Sequence, residues 1–158
     1  MVWGEFEAAA PRLARDAAER LAEAGLALLG TLRRDGSPRV SPVEPYFLAE
    51  HLVFGTMTWS RKALDLARDA RCVLHSPVSR PDGGEIEVKL YGRAVRLGDE
   101  AVPAEGTWWA SQPPGKACIF SLDVETAAIV RWDPARGRMR LARWSPAAGE
   151  RTLEREYP

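Results

Sequence analysis

Cysteine is scarce in this sequence of 158 residues, where only Cys72 and Cys118 occur and no CxxC pair is present. A disulfide framework and a zinc site are therefore both unexpected, and we predict no metal site of any kind. Each cysteine lies in an apolar, strand-like run, so both thiols are expected to be buried.

Long apolar runs and an excess of one charge are also missing. No stretch approaches the roughly 20 apolar residues that a membrane span needs, and the N-terminus does not have the form of a signal peptide. Lys+Arg and Asp+Glu both number 22, which argues against nucleic acid as the main partner. We expect a cytoplasmic protein without a membrane or nucleic-acid partner. Its length suits a single domain over 1–158.

The N-terminal segment, residues 1–25, is predicted to be helical. A short helical turn over 4–10 is followed by Pro11, which suits the first position of a helix because its missing N–H costs nothing there. Apolar residues recur every three to four positions through residue 24. Gly25 then suits the end of the helix.

Short strands separated by turns fill the next part of the chain, 26–145, and the tail 146–158 is polar and expected to be loosely held. The predicted strands cover 26–34, 37–48, 51–57, 71–78, 86–98, 117–125, 127–133 and 138–145. Such a run of consecutive strands predicts a small antiparallel barrel with helices on its outside.

Local signals add detail to this barrel. The Asp35-Gly36 pair predicts a hairpin turn, and three prolines in "SPRVSPVEPYFL" require an edge, a bulge or an interruption in that strand. A helix is predicted over 60–69, where we expect it to cover a barrel opening, and a weaker one over 99–111.

The stretch "TWSRKALDLARD", residues 58–69, places two cations where a helix begins. Ser60 is a good N-cap, and the first turn offers unpaired N–H groups and a positive dipole end. With Arg61 and Lys62 this arrangement is typical of a phosphate site. The alternative is a solvated surface helix whose cations pair with Asp65 and Asp69.

Three further residues are expected to lie beside this helix start. Gly55 and Thr56 end the preceding strand, and Arg39 lies on the hairpin partner strand. A glycine allows a flat ligand to approach the backbone, and the threonine hydroxyl can donate to a phosphate or a ring carbonyl. The alternatives are a strand bulge for Gly55 and an exposed side chain for Arg39.

The runs "TLRRDGSPRVSPV" and "LVFGTMTWSRKALDLARDARCVLHS" resemble the flavin-binding split-barrel superfamily, which includes the pyridoxamine 5'-phosphate oxidases and the FMN- or F420-dependent oxidoreductases. The resemblance covers residues 26–98 best. It implies a mainly β fold with flanking helices, a six-stranded antiparallel split β-barrel, and a homodimer with the cofactor between subunits. It also implies a set of cofactor-binding residues, in which Arg61 and Lys62 hold the phosphate and Arg39 assists. The set is Arg39, Val40, Ser41, Pro42, Val43, Gly55, Thr56, Ser60, Arg61, Lys62, Glu87 and Lys89.

The sequence departs from true pyridoxamine phosphate oxidases at several positions. Glu44 replaces a lysine at the end of the second strand, and Glu87 replaces a glutamine in the long fifth strand, with Lys89 on the same face. Since an ionised carboxylate only accepts hydrogen bonds, either the ring edge is contacted differently or Glu87 pairs with Lys89 or a neighbour. These departures argue against pyridoxamine phosphate as the substrate.

The leading hypothesis is an FMN-binding oxidoreductase that transfers a hydride between the flavin and a small substrate, with no catalytic side chain required of the protein. One alternative is an F420-dependent reductase, whose acidic cofactor tail would meet Arg33, Arg34 and Arg39. A second alternative is a non-catalytic flavin- or haem-binding protein. Trp59 and Trp132 are the tryptophans most expected to stack on a ligand, while His51 and His75 are expected to be structural.

Overall fold

The structure is a computed structural model that describes residues 1–80, 84–98 and 105–156. It begins with two helices, α1 (Trp3–Ala9) and α2 (Pro11–Ala24). Pro11 is the first residue of α2, as predicted, and Gly25 ends it with a φ of 63°. Both helices pack on the sheet through buried side chains such as Phe6 and Leu21.

Within the described residues, nine strands form one antiparallel sheet. Their bounds are β1 Ala27–Leu32, β2 Pro38–Val43, β3 Pro45–Leu48, β4 His51–Met57, β5 Arg71–His75, β6 Glu87–Leu97, β7 Ala117–Asp133, β8 Arg138–Ser145 and β9 Gly149–Glu156. The Asp35-Gly36 pair lies in the turn between β1 and β2, where Gly36 has a φ of 82°.

The sheet closes into a barrel because its two end strands are consecutive in the chain. The order is β2-β1-β5-β6-β7-β4-β3, and only Glu44 separates β2 from β3. These two strands therefore act as one bent strand that pairs with β1 before the bend and with β4 after it. The bent strand with β1, β4, β5, β6 and β7 gives six barrel walls, which confirms the predicted split-barrel class. The bend is also the interruption that the prolines require.

The barrel is split on one side of β4. This strand pairs with β3 only as far as Phe54, and its last residues, 55–57, pair with β7 alone. Helix α3 (Arg61–Arg68) begins just beyond this unpaired edge. It packs on β1 and β4 with Ala63 and Leu66 buried, so the helix predicted over 60–69 lies beside the opening as expected.

Two parts of the C-terminal half differ from the sequence prediction. The two strands predicted over 117–125 and 127–133 form a single strand, β7, with a bulge opposite Tyr91 and Gly92. The tail, predicted to be loose, contributes β9, which pairs along its whole length with β8. Every residue of β9 is exposed, and such a strand carries no apolar alternation that would reveal it in the sequence.

The barrel interior is filled by alternate residues of each strand, including Leu29, Leu74 and Leu90. Cys72 and Cys118 are both buried and unpaired, as predicted, and burial raises the pKa of the Cys72 thiol to about 12. Of the predicted weak helix, residues 99–104 lie outside the described residues, and Trp108–Ser111 form a short 3-10 turn. No helix in the described ranges is long and apolar enough to cross a membrane.

Candidate functional site

A cleft of about 420 Å³ opens at the split in the barrel, between β2, β4 and the start of α3. Six of the residues predicted from the sequence line it. They are Pro42, Val43, Gly55, Thr56, Ser60 and Lys62.

The α3 start has the polar geometry expected of an anion site. Ser60 is extended (φ −70°, ψ 147°), and its Oγ accepts a hydrogen bond from the Ala63 N–H at 3.3 Å. Lys62 reaches back to β2, where its Nζ donates to the Pro42 carbonyl at 2.8 Å. Burial lowers the pKa of the Lys62 ammonium, since the charged form is partly removed from water. The helix start thus combines a capped turn with a cation held at the cleft wall.

The structure does not show the alternative in which Arg61 and Lys62 pair with acidic residues of their own helix. Asp65 pairs instead with Arg39, whose Nε lies 2.6 Å from Oδ2, and with Arg68 at 3.4 Å. Neither Arg61 nor Lys62 makes an ion pair with any residue in the described ranges. Arg61 is exposed, and Lys62 is half-buried at the cleft.

Asp65 anchors α3 to the first two strands. It is 5% exposed, and it also accepts a hydrogen bond from the Thr31 hydroxyl at 3.2 Å. Burial by itself would raise the pKa of this carboxyl, but the hydrogen bonds from Arg39, Thr31 and Arg68 outweigh burial and lower it. Arg39 therefore holds β2 against α3 and does not line the cleft, so its predicted contact with a phosphate stays a prediction.

Thr56 offers an unused hydrogen-bonding group at the cleft. Its side chain is 1% exposed, and its Oγ1 has no partner within the part of the chain that the structure describes. Such an orphaned hydroxyl costs free energy unless a ligand or water satisfies it. This observation fits a cofactor with hydrogen-bonding groups in the cleft.

Gly55 lines the cleft, and it also allows two tryptophan rings to pack closely against the backbone of β4. A Cβ there would clash with the Trp109 ring and would lie 2.9 Å from Cζ2 of Trp108. The Trp108 ring is itself a wall of the cleft, which the sequence prediction missed because the pattern over 99–111 is weak. The side chains of Trp108 and Trp109 meet edge-on, with centroids 5.8 Å apart.

The outer rim of the cleft carries an indole and a carboxylate. Trp59 is 75% exposed and lines the cleft, whereas Trp132 is half-buried on β7 and lies elsewhere. Glu44 lies at the bend between β2 and β3, and its Oε2 accepts a hydrogen bond from the Tyr46 hydroxyl at 2.7 Å. Burial, and then the bond to Glu44, raise the pKa of Tyr46.

The remaining predicted residues do not reach this cleft in one chain. Glu87 bonds to Lys89 and His75, each at 2.8 Å, so the predicted pairing with Lys89 is present. Burial by itself would raise the pKa of Glu87, but the hydrogen bonds and charges of Lys89 and His75 together outweigh burial and lower it. Strand pairing puts Lys89 three strands from Pro42, about 14 Å away on the outer face of the sheet.

Two further positions on β2 face opposite ways. Val40 is 67% exposed on the outer face, and Ser41 lies opposite Leu29 on the inner face.

His51 bonds through Nδ1 to the Ser121 hydroxyl at 2.9 Å, so both histidines have protein partners. No group of three or more histidine, cysteine or acidic residues that could hold a metal is found in the ranges the structure covers.

A barrel split beside a helix start, with a cleft at the split, defines the class of flavin-binding split-barrel proteins. The family model described as pyridoxamine 5'-phosphate oxidase matches residues 13–141, and the chain belongs to this family. No curated protein matches the sequence.

Solved structures share the fold at low sequence identity. PhzG from Burkholderia lata 383, in complex with tetrahydrophenazine-1-carboxylic acid, is 16% identical with a TM-score of 0.64, over 92% of this chain and 89% of its own. A pyridoxamine 5'-phosphate oxidase-related, FMN binding protein from Nostoc punctiforme is 12% identical with a TM-score of 0.62, over 92% and 95%. A heme binding protein from Mycobacterium smegmatis is 17% identical with a TM-score of 0.58, over 90% and 87%.

Proposed function

We propose that this chain is a cytoplasmic FMN-binding oxidoreductase that transfers a hydride between the flavin and a small substrate. The observation that carries the proposal is the cleft at the start of α3, which is lined by the Ser60 cap, the Lys62 ammonium and Thr56, whose buried hydroxyl has no partner among the described residues. Similarity to the Nostoc punctiforme protein, which is described as FMN binding, supports the same cofactor.

Each part of the cleft suits one part of this cofactor. Lys62 and the free N–H groups of the first helical turn would hold the phosphate, with Arg61 as a second, exposed cation. Pro42 and Val43 would line the ribityl chain, and the Thr56 hydroxyl would donate to a polar atom of the cofactor. Bound FMN would supply the acceptance and release of hydride, which no side chain of the protein provides.

The rim would then select the substrate. The indoles of Trp59 and Trp108 keep water from one side of the cleft and offer flat surfaces to a planar molecule. The Glu44 carboxylate, oriented by Tyr46, favours a substrate with a hydrogen-bond donor or a positive charge over an anionic one.

Absorption and binding measurements test this proposal. Protein purified from a flavin-replete host should show a flavin band near ~450 nm, and the released cofactor should have the mass of FMN. Stripped protein should bind FMN again, as followed by quenching of flavin fluorescence. Absence of flavin in the purified protein, together with no binding on titration, would refute the proposal.

F420 is the second candidate cofactor, because the β1–β2 turn carries two arginines that could meet an acidic tail. Arg33 and Arg34 are exposed on the β1–β2 turn and make no ion pair among the described residues, so an acidic tail would find free guanidinium groups. Titration of the stripped protein with F420 and with FMN separates the two. Tighter binding of F420, and its loss in Arg33→Gln/Arg34→Gln, would favour the deazaflavin.

Haem binding without redox turnover is the remaining candidate, and the heme binding protein of Mycobacterium smegmatis supports it. The two histidines that could serve as axial ligands are both hydrogen-bonded within the protein, His51 to Ser121 and His75 to Glu87. A Soret band after haem titration that disappears in His51→Ala or His75→Ala would favour this function over the flavin.

We also propose that the chain is a homodimer. Apolar side chains lie exposed on the outer face of β2 and β6, with Val40 at 67% and Val95 at 43%. A mostly apolar depression of about 250 Å³ lies between them, lined by Gly30, Val73 and Tyr91. A second copy would cover this surface. Light scattering should give twice the chain mass, and Val40→Glu should reduce it to one; a monomeric wild-type protein would refute the dimer.

A further inference from the structure

The cleft at α3 carries two opposite charges that do not neutralise each other. Lys62 lines it from the helix start, and Glu44 lines it from the bend between β2 and β3. The Lys62 ammonium donates to the Pro42 carbonyl at 2.8 Å, and Glu44 lies two residues beyond Pro42, about 7 Å along the chain. Glu44 makes no ion pair with any residue in the described ranges. A molecule in the cleft therefore meets a cation on one wall and an unneutralised carboxylate on another.

Tyr46 holds this carboxylate in place. Its hydroxyl donates to Oε2 of Glu44 at 2.7 Å, and its ring packs edge-on against the Trp109 ring, with centroids 5.0 Å apart. Trp109 is itself 5% exposed. Glu44 is thus tied to a buried side chain through Tyr46, although the residue is exposed at the cleft. Tyr46 is a positioning residue for the Glu44 charge.

A bound phosphate would leave the Glu44 charge without a counter-ion. Lys62 and Glu44 are the only charged residues in the part of the cleft lining that the structure describes. Tyr46, which contacts Glu44 from β3, stays protonated at neutral pH, because burial and then the hydrogen bond to Glu44 raise its pKa. The phosphate of the proposed cofactor would neutralise the Lys62 ammonium. The remaining charge in the cleft would then be the Glu44 carboxylate, and it would act on the flavin ring.

We propose that Glu44 keeps the reduced flavin ring of this protein uncharged and thereby lowers the reduction potential of the cofactor. Reduction adds two electrons and two protons if the ring stays neutral, or two electrons and one proton if the ring keeps a negative charge. A carboxylate held beside the ring disfavours the charged form, so the second proton is retained to a higher pH. This inference rests on the proposed flavin function and adds the residue that sets the driving force of hydride transfer.

Spectroelectrochemical titration of the FMN-loaded protein over a range of pH tests the inference. The midpoint potential should fall by about 59 mV per pH unit while two protons are taken up, and by about 30 mV per pH unit when only one is. In Glu44→Gln the change of slope should occur about one pH unit lower than in the wild type, because the second proton is lost about 10-fold more easily. Above that pH the potential of the variant should be about 30 mV higher.

Three further variants separate the charge from the packing. Glu44→Asp keeps the carboxylate, and its change of slope should move less than half as far as in Glu44→Gln. Tyr46→Phe removes the positioning hydrogen bond alone and should also move the change of slope part of the way. The matched control is Glu7→Gln, which removes an exposed carboxylate of α1 outside the cleft and should leave the change of slope where it is.

The outcomes distinguish this inference from the flavin proposal. The same change of slope in the wild type and Glu44→Gln, or an equal shift in Glu7→Gln, would overturn the role of Glu44. An unmoved change of slope in Tyr46→Phe would contradict the positioning by Tyr46. FMN titration of the stripped wild-type protein comes first. Absence of FMN binding would refute the flavin proposal and this inference with it, whereas binding with an unmoved change of slope in Glu44→Gln would refute this inference alone.

Discussion

Replacing Lys62 by glutamine removes the one ammonium that lines the cleft among the described residues. Its Nζ is held at the cleft wall by the Pro42 carbonyl, 2.8 Å away, so it is already placed for an anion and little ordering is needed on binding. A hydrogen bond to a charged group contributes about 1.5–3 kcal/mol. Because Lys62 is only half-buried, we take the lower part of this range, about 2 kcal/mol, or roughly 30-fold in Kd.

The assay is titration of the stripped protein with FMN, followed by quenching of flavin fluorescence at two salt concentrations. The Lys62→Gln chain should bind about 30-fold more weakly, with a smaller loss of affinity on adding salt. Lys116→Gln, which removes an exposed lysine outside the cleft, is the matched control and should behave as the wild type.

The pH dependence gives an independent check of the same prediction. Burial lowers the pKa of Lys62 below the ordinary value of 10.5, so the ammonium loses its proton at a lower pH than a surface lysine. Wild-type affinity for FMN should therefore fall as the pH rises through this lowered pKa, and the fall should be absent in Lys62→Gln. An unchanged Kd in the variant would refute the assignment of Lys62 to the phosphate.

Three other substitutions give distinct outcomes. Thr56→Val removes a buried hydroxyl without a described partner, so it should stabilise the cofactor-free protein by about 1 kcal/mol in urea denaturation and weaken FMN binding. Gly55→Ala should lower the free energy of unfolding by about 1–3 kcal/mol, because its Cβ meets the Trp109 ring. Asp65→Asn leaves Arg39 without its anion and should cost about 3 kcal/mol.

The sign of the pH effect on Asp65 follows from its lowered pKa. The stabilisation by this carboxylate is fully present above its ordinary pKa of 3.8 and is lost as the pH falls through the lower folded-state pKa. The difference in stability between the wild type and Asp65→Asn should thus shrink below about pH 4. A stability difference between the wild type and Asp65→Asn that stays constant down to about pH 2 would contradict the role of the Asp65 carboxylate. Equal stability of Thr56→Val and the wild type would contradict the cost assigned to the buried hydroxyl. An unchanged free energy of unfolding in Gly55→Ala would contradict the close packing of Trp109 on Gly55.

Features governed by neighbouring residues could be predicted from the sequence. The Ser60 cap, the Gly25 helix end and the Asp35-Gly36 turn each depend on backbone geometry within a few residues, and all three are present. An edge, a bulge or an interruption in this proline-rich strand was predicted in the same way, since three prolines cannot share one uninterrupted central strand. The position of the bend, at Glu44, comes from the structure alone.

Features that join distant parts of the chain could not be predicted. Arg39 and Asp65 are 26 residues apart, and no local pattern indicates that this carboxylate would take Arg39 in preference to the cations of its own helix. The packing of Trp109 on Gly55 joins two segments across the barrel. In both cases the tertiary structure, not the propensity of either segment, decides the partner.

The bent strand gives the barrel a mechanical property. Glu44 joins β2 and β3, so the chain runs through this side of the barrel without a break. The backbone hydrogen bonds do not, because β2 pairs with β1 before Glu44 and β3 pairs with β4 after it. The backbone edges of β2 and of residues 55–57 can separate here without breaking a ladder. Lys62 already fastens one edge through the Pro42 carbonyl. A molecule bound in the cleft would contact both edges and hold them together. Amide hydrogen exchange in β2 and in residues 55–57 would then slow on binding, while exchange in the rest of the barrel stayed unchanged.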